Sequence, residues 1–477
     1  MKHTALILLA AMALLSCNKL VEKPQSIIAQ DQFYQTKNDA ISAVTAVYSA
    51  LNTDPGGDFP MYGRQLYFMA DAATDDETEG NSASNADVRA MGSITYIAND
   101  NRIQANWTQH YMGINWANVA IDKVSAMSID TALRARLVRE SKFIRALLYF
   151  NLVRLFGDVP LVLHQAADVG QTAVIRTSAA QVYQQIIADL TDAESLPASY
   201  SGTDIGRATS GAAKTLLAKV YLTRQDWKNA SAKCLEVING PYGYGLFSNY
   251  ADVFNKSTKN GKEHIFSVQF LSNSGASNSR DRIMTDVFSG FSTKIPPDLP
   301  ADSSLYKSFV TGDTRRDVTY FTSLFNPSTG KNYKFNYIGL RKFVDTTQLL
   351  TSIESGINFP VLRYADVLLM YAEAVNEDQG PTTAAYNAVN QVRERAKVPD
   401  LPAGLSQSNF RNAVYQERRF EFVQEGHRWF DLVRTGRLVT AISKVAAKSA
   451  VSQKDVLFPI PQAEINVNAK VTQNTGW

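Results

Sequence analysis

The sequence predicts a mostly α-helical protein built from tetratricopeptide-like helical hairpins, with a loop-rich insert that carries short strands. Three observations support this fold class. Amphipathic stretches joined by short connections fill the first half of the chain. The segment 211–238 matches the tetratricopeptide pattern, and the segment 362–396 matches it more loosely. Since one such hairpin cannot bury its apolar face alone, we expect several hairpins to stack.

Helices are predicted where apolar residues recur at helical spacing. Such stretches lie at 38–51, 106–124, 135–156 and 178–196. Gly157 and Pro160 are stop signals for the third helix. Ser178 is a suitable N-cap for the fourth, which stops before Pro197.

The tetratricopeptide match depends on the placement of small and aromatic residues. Ala218 and Ala230 would let two antiparallel helices approach closely, and Trp227 would fill the gap to the next pair. In the looser copy, Ala372 and Ala385 are the close-approach positions. We therefore predict a hairpin in each segment.

The N-terminus predicts an exported and lipid-anchored chain. Lys2 and His3 form a short positive region, and an apolar stretch over 4–15 is too short to span a bilayer. The ending "LLSC" resembles a bacterial lipobox, in which Cys17 receives the lipid. Acyl chains contribute about 0.8 kcal/mol per buried methylene, so an acylated Cys17 would hold the protein on a membrane.

Composition excludes several functional classes. A net charge of +3 on 477 residues is too small for a large nucleic-acid footprint. Cys234 is the only cysteine besides Cys17, so no intramolecular disulfide is expected in the mature chain. The five histidines are scattered, without HExxH or zinc-ligand spacing, and no phosphate-binding glycine loop is present. We expect no cofactor and no metal site, and we interpret "DDETE" at 75–79 as a solvated acidic loop.

The segment 415–438 contains four carboxylates and five arginines in 24 positions. As one helix, it would place Glu417, Glu421 and Glu425 on one face. A glycosidase would need one of these carboxylates to have a raised pKa. Arginine neighbours lower the pKa of a carboxylate instead, so we interpret the segment as partly buried ion pairs that fix one helix against others.

The same segment carries a family resemblance. "ERRFEFVQEGHRWFDLVR" resembles the signature near the C-terminus of the SusD/RagB family, the lipoprotein partners of outer-membrane transporters in Bacteroidetes. Four further stretches resemble that family in the expected order, at 145–162, 207–222, 362–377 and 457–477. Together with the lipobox, these stretches cover the chain from end to end.

The resemblance implies a SusD-like domain with about four tetratricopeptide-like pairs and a loop-rich face. The predicted organisation is a signal peptide at 1–16, a lipidated tether at 17–30 and one domain at 31–477, divided into a helical part (31–240), a loop-rich insert (241–357) and a C-terminal helical part with its tail (358–477). The resemblance also implies a TonB-dependent, SusC-like β-barrel as partner, over which the protein acts as a hinged lid. One departure is that residues 18–22 contain a single acid, where surface-exported members carry an acidic cluster.

Ligand contacts are predicted on loops, because loops carry function on rigid scaffolds. Sugar binding needs an aromatic side chain against the ring and polar side chains for the hydroxyls. Family members place their site on loops from two regions, 59–85 and the insert. The predicted ligand-binding residues are Tyr67, Asp71, Asn81, Trp107, Tyr320, Tyr337 and Arg341. Trp107 lies on a predicted helix, where a core position is the alternative.

The expected function is non-catalytic capture of glycan at the cell surface and its delivery to the transporter. A peptide-binding lipoprotein of the same architecture is one alternative. A secreted glycosidase and a tetratricopeptide adaptor that binds only protein are two others. The predicted location is the outer membrane, lipid-anchored and facing the cell exterior.

Overall fold

The computed structural model describes residues 33–53, 59–79, 83–166, 168, 173–271, 298–326, 330–345 and 355–477. The predicted signal peptide, Cys17 and Asn81 lie outside these residues. The described chain is mostly helical, as the sequence predicts. Its helices are α1 (Lys37–Ser49), α2 (Ala86–Ser93), α3 (Asn101–Ser125), α4 (Thr131–Phe156), α5 (Ala179–Ala193), α6 (Ser210–Thr223), α7 (Trp227–Ile238), α8 (Ser304–Ser308), α9 (Thr314–Thr319), α10 (Tyr364–Gln379), α11 (Thr383–Arg395), α12 (Gln407–Glu421), α13 (Arg428–Arg434), α14 (Leu438–Ile442) and α15 (Gln462–Val467).

Local sequence signals set the ends of these helices. The hydroxyl of Ser178 accepts a hydrogen bond from the backbone N–H of Gln181 at 3.4 Å and caps α5. Helix α4 begins after Asp130, whose carboxylate accepts from Leu133 N–H at 2.8 Å. It ends at Gly157, where φ is +73° and side chains other than hydrogen are disfavoured. The predicted stop of α4 at Gly157 is confirmed, and so are the predicted cap of α5 at Ser178 and its end before Pro197.

Stacked hairpins form the frame of the protein. Consecutive helices pack as α3 on α4, α5 on α6, α6 on α7 and α10 on α11, and α10 also packs on α7. Ala218 and Ala230 are fully buried in the α6–α7 pair, and Ala372 and Ala385 are fully buried in the α10–α11 pair. Both predicted hairpins are thus confirmed, and their small residues lie where the helices approach.

The strands of the described residues form four short antiparallel pairs. They are β1 (Glu77–Glu79) with β5 (Asp298–Pro300), β2 (Val159–Pro160) with β3 (Arg176–Thr177), β4 (His264–Val268) with β8 (Phe359–Arg363), and β6 (Tyr320–Asn326) with β7 (Lys331–Leu340). Most of this strand material lies in the region predicted to be a loop-rich insert. Strand β4 is buried along its whole length, so it anchors that region to the helical core.

One large apolar core runs through the hairpins. Its central helix is α4, in which Phe143, Tyr149, Phe150 and Phe156 are all fully buried. Among the described residues, no helix combines the length and the apolar character needed to cross a bilayer.

Candidate ligand-binding site

The charged segment 415–438 does not form one continuous helix. Helix α12 ends at Glu421, and a turn with positive φ at Gln424 (66°) and Gly426 (71°) leads into α13. The prediction that Glu425 shares a helical face with Glu417 and Glu421 is therefore wrong. The turn nevertheless brings Glu425 to the same buried cluster, where its carboxylate accepts from Arg363 at 2.7 Å and from Lys342 at 2.8 Å.

A network of buried ion pairs surrounds Glu421. Arg363 donates two hydrogen bonds to Glu425, at 2.7 and 2.9 Å, and one each to Glu263 at 2.7 Å and Glu421 at 2.9 Å. Arg395 also bonds both Glu263 and Glu421. These side chains are at most 6% exposed. They come from the residue before β4, from β8, α11 and α12, and from the turn after α12, so the network fixes these elements against one another.

Arginine neighbours keep two buried carboxylates of the segment 415–438, Glu421 and Asp431, ionised. Burial alone would raise the pKa of Glu421, but Arg395, Arg363 and Arg315 outweigh it and hold that pKa well below the ordinary value. Asp431 likewise has a lowered pKa, because Arg418 and Arg434 outweigh its burial. A general acid needs the opposite shift. The geometry thus supports the interpretation of this segment as scaffolding.

The acidic stretch "DDETE" is not the solvated loop that the sequence suggested. Asp75, Asp76 and Glu77 are all less than 10% exposed. Arg428 donates two hydrogen bonds to Asp75, at 2.8 and 2.7 Å, and Arg419 donates to Asp76 at 2.6 Å. The prediction failed because the basic partners lie about 350 residues away along the chain. Among the described residues, no group of three His, Cys, Asp or Glu side chains could hold a metal ion.

Three of the predicted ligand residues lie inside the protein. Tyr67, Asp71 and Tyr320 are 4%, 2% and 2% exposed. Asp71 accepts the backbone N–H of Gly426 at about 3 Å, and burial raises its pKa well above the ordinary value. Tyr320 packs edge-on against Phe309 with ring centroids 6.1 Å apart. A ligand could contact these three side chains only after the packing around them opens.

Two other predicted residues belong to the β6–β7 hairpin and its end. Tyr337 is partly buried and packs against Phe335, with ring centroids 5.3 Å apart. Arg341 is exposed, and its guanidinium donates to the backbone carbonyl of Asp317 at 3.1 Å. The predicted ligand contact Asn81 and the predicted lipidation site Cys17 lie outside the described residues.

The two regions predicted to carry the ligand meet in space. Strand β1, at the end of the first region, pairs with β5 of the insert, and Glu77 stands opposite Pro300. Asp76 lies within electrostatic reach of both Asp71 and Tyr320, since its charge raises the pKa of each after the larger effect of burial. Tyr67, Asp71 and Tyr320 therefore belong to one neighbourhood behind this β1–β5 contact.

Trp107 lines a separate open cavity of about 670 Å³. Helix α3 supplies Trp107 and Tyr111, whose rings lie 4.9 Å apart, and Tyr111 donates its hydroxyl to Pro160 O at 2.8 Å. Trp107 is 4% exposed and also packs edge-on against Phe156, so it is at once a core residue and part of the cavity wall. The two readings of Trp107 left open by the sequence are thus not exclusive.

The far wall of this cavity comes from the C-terminal tail. Glu464, Val467 and Asn468 line it, and Val467 is 82% exposed. Together they add a carboxylate, an amide and an apolar edge to the aromatic side of Trp107 and Tyr111. Sequence reasoning missed these residues because Glu464 lies more than 350 positions from Trp107 and Tyr111 along the chain. The spacing of Trp107 and Tyr111, one helical turn apart, was the only local signal for an aromatic surface.

The fold defines a helical protein of the tetratricopeptide-like class, with ligand-sized cavities at its surface. A family model described as "SusD family" matches residues 289–477, and one described as "Starch-binding associating with outer membrane" matches residues 37–222. A SusD superfamily protein from Parabacteroides distasonis has 30% sequence identity and a TM-score of 0.80, over 92% of this chain and 99% of that one. The chain belongs to the SusD family of glycan-binding proteins.

Two further relatives match over nearly the full length. SusD-like protein P2 of Formosa agariphila is 28% identical, and the match covers 99% of this chain and 98% of that protein. A solved structure described as a laminarin-binding SusD-like protein is 28% identical with a TM-score of 0.79, over 93% of this chain and 100% of its own. The resemblance recognised in the sequence is therefore confirmed for the whole described fold.

Proposed function

We propose that this protein is a non-catalytic lipoprotein of the outer membrane that captures glycan at the cell surface and delivers it to a TonB-dependent, SusC-like β-barrel. The observation that carries the proposal is the full-length likeness to a laminarin-binding SusD-like protein at 28% identity. The lipobox at Cys17 supports a lipid anchor, and the family description supports association with the outer membrane.

The cavity beside Trp107 offers suitable chemistry for a sugar. Trp107 and Tyr111 contribute aromatic rings to the wall, and the Glu464 carboxylate provides acceptors for ring hydroxyls. Its volume of about 670 Å³ lies within the range of small-ligand sites. We propose this cavity as one contact region for the glycan. The loop face around Tyr337 and Arg341, beyond the β1–β5 contact, is the second.

The charged segment supports binding without chemistry. Glu421 and Asp431 lie in the charged segment 415–438, and the arginines around them lower the pKa of both carboxyl groups. Their role in this proposal is to hold a rigid frame. The loops and cavity walls then bind the ligand, and no bond in it is cleaved.

The test is calorimetric titration of the mature chain against a panel of plant, host and microbial glycans and peptides, with product analysis. We expect saturable binding of at least one glycan without hydrolysis. Val467→Arg, at an exposed position of the cavity wall, should weaken binding about tenfold or more by filling the cavity. Leu235→Arg, at a 39% exposed position on α7, is the matched control and should bind like the unmodified chain.

Each alternative predicts a different outcome. Cleavage products would identify a glycosidase, and saturation by peptide alone would identify a peptide-binding lipoprotein. If no glycan and no peptide gives a binding signal, the remaining hypothesis is a tetratricopeptide adaptor that binds only protein. If a glycan binds but Val467→Arg has no effect, the function stands and the cavity assignment fails.

The anchor and the partner require separate experiments. Cys17→Ala should move the protein from the membrane fraction to the soluble fraction of the cell envelope. The unmodified lipoprotein, solubilised in detergent, should co-purify with a SusC-like barrel. Unchanged fractionation of Cys17→Ala would contradict the proposed anchor.

A further inference from the structure

A second cavity, of about 350 Å³, opens beside the place where β1 and β5 meet. Asp75 lies just before β1, and Asp302 and Ser304 lie just after β5. Helices α12, α13 and α14 form its other walls. The cavity borders both regions that are predicted to carry ligand contacts. A glycan bound at those regions could therefore extend into it.

The lining of this cavity has an excess of positive charge. The lining contains four basic side chains, Arg419, Arg428, Arg437 and Lys444, and two carboxylates, Asp75 and Asp302. Asp75 is already bound by Arg428, at 2.7 Å, and by Arg419, at 3.0 Å. The adjacent Asp76 also pairs with Arg419, at 2.6 Å, so Asp75 and Asp76 together neutralise Arg419 and Arg428. Arg437 and Lys444 then exceed the remaining carboxylate of the lining, Asp302, by one positive charge.

Arg437 is a partly buried cation that has no carboxylate partner within the described residues. Its Nε donates to Thr435 Oγ1 at 2.9 Å, and its guanidinium lies 4.0 Å from the centre of the Tyr415 ring. Burial, followed by repulsion from Arg428, lowers the pKa of Arg437. A guanidinium has five N–H donors in a planar fork, which suits a carboxylate or sulfate. The Tyr415 ring holds this fork in place, and most of its N–H donors have no hydrogen-bond partner in the part of the chain that the structure describes.

Lys444 adds a second positive charge on the same wall. It is exposed on the turn after α14 and forms no ion pair with any residue that the structure describes. Polar side chains complete the lining, among them Asn412, Gln416 and Thr440. Their amide and hydroxyl groups can exchange hydrogen bonds with sugar hydroxyls.

We propose that this cavity binds an anionic sugar residue of the glycan, with Arg437 and Lys444 holding its carboxylate or sulfate group. The proposal rests on the proposed glycan capture and narrows its ligand to acidic polysaccharides. The polar lining favours a sugar over an acidic peptide, because amides and hydroxyls converge on the same space as the two cations. The volume of about 350 Å³ is at the small end of ligand sites and suits one sugar unit.

The test compares acidic oligosaccharides with their own neutralised forms. An oligogalacturonide is titrated before and after reduction of its carboxyl groups, and a sulfated galactan oligosaccharide before and after desulfation. We expect one acidic form to bind about tenfold or more tightly than its neutral form, with affinity that falls as salt is raised. The two pairs distinguish a carboxylate from a sulfate.

Variants locate the effect in the cavity. Arg437→Gln should remove most of the preference for the acidic form, and Lys444→Gln, at an exposed position, should reduce it without a risk to folding. Lys228→Gln, an exposed lysine on α7, is the matched control and should keep the preference. Lys228→Gln should also leave binding of neutral glycans unchanged.

Equal affinity for the acidic and neutral forms of both pairs would overturn this inference while leaving the proposed function intact. A preference that survives both Arg437→Gln and Lys444→Gln would overturn the assignment to this cavity. Equally tight binding of an acidic peptide would overturn the assignment to a sugar. If the unmodified chain binds no glycan at all, that result would instead count against the proposed function itself.

Discussion

Glu421 is the carboxylate shared by the guanidiniums of the buried network, and we expect Glu421→Gln to destabilise the protein by about 3 kcal/mol. Its side chain is fully buried and lies 2.9 Å from Arg363 and 3.4 Å from Arg315, with Arg395 bonded to the same carboxylate. Glutamine keeps the shape and one acceptor oxygen but removes the negative charge.

The size of the expected loss in unfolding free energy depends on how many carboxylates the three arginines keep after the substitution. Removing one partner of a buried ion pair costs about 3–5 kcal/mol. Three arginines lose a counter-charge here, which argues for the upper end. Glu263 and Glu417 remain bonded to the same arginines, at 2.7 Å from Arg363 and 2.5 Å from Arg315, which argues for the lower end. We therefore expect a loss of unfolding free energy near the lower end of this range, about 3 kcal/mol.

Urea unfolding, followed by tryptophan fluorescence, measures this loss as a shift of the midpoint at constant slope. Asp317→Asn is the matched control, because Asp317 pairs with Arg316 at 2.8 Å but is 72% exposed, so little change is expected. A loss below about 1 kcal/mol for Glu421→Gln would refute the scaffolding role. So would normal stability combined with the loss of a hydrolytic activity.

Three further predictions concern the pH dependence of stability and two other buried positions, Lys448 and Ala230. Because the pKa values of Glu421 and Asp431 are lowered in the folded protein, their contribution to stability is complete above the ordinary carboxyl pKa and is lost as the pH falls. Urea midpoints should therefore drop steeply below about pH 4. Lys448→Ala should cost about 3 kcal/mol or more, since the buried ammonium donates to three backbone carbonyls at 2.5 to 2.6 Å, and removal leaves them unsatisfied. Ala230→Leu should cost about 1–3 kcal/mol by overpacking the α6–α7 contact, whereas Ala232→Leu, exposed on the same helix, should cost almost nothing by thermal or urea unfolding.

The helical frame was predictable because its signals are local. Ser178 caps α5 and Gly157 ends α4 through contacts within a few residues, and the small residues of each hairpin recur at fixed spacing. Such signals act through backbone geometry and close packing, so a single sequence carries them in full. The turn at Gln424 was missed because a non-glycine residue with φ of 66° has no reliable sequence mark.

The candidate sites were less predictable because their walls come from distant segments. Trp107 was a candidate from the start, but Glu464 and Val467 reach its cavity from the other end of the chain. Asp75 looked solvated because nothing near it in sequence is basic, although Arg428 binds it in the folded protein. Long-range pairing of this kind is decided by the packing of the whole frame, which local patterns do not encode.

The division between frame and binding surface follows from the energetics of buried charge. An arginine such as Arg363 is tolerated inside the protein only because three carboxylates surround it, so a change at any one of them would unbalance the others. Arg437 is different, because it lies at a cavity wall and lacks such a partner among the described residues. Substituting it would leave no buried carboxylate uncompensated. A protein of this design can therefore change the charge of its cavities while the buried network and the hairpins stay the same, and in the function proposed above such a change would alter the class of glycan that is bound.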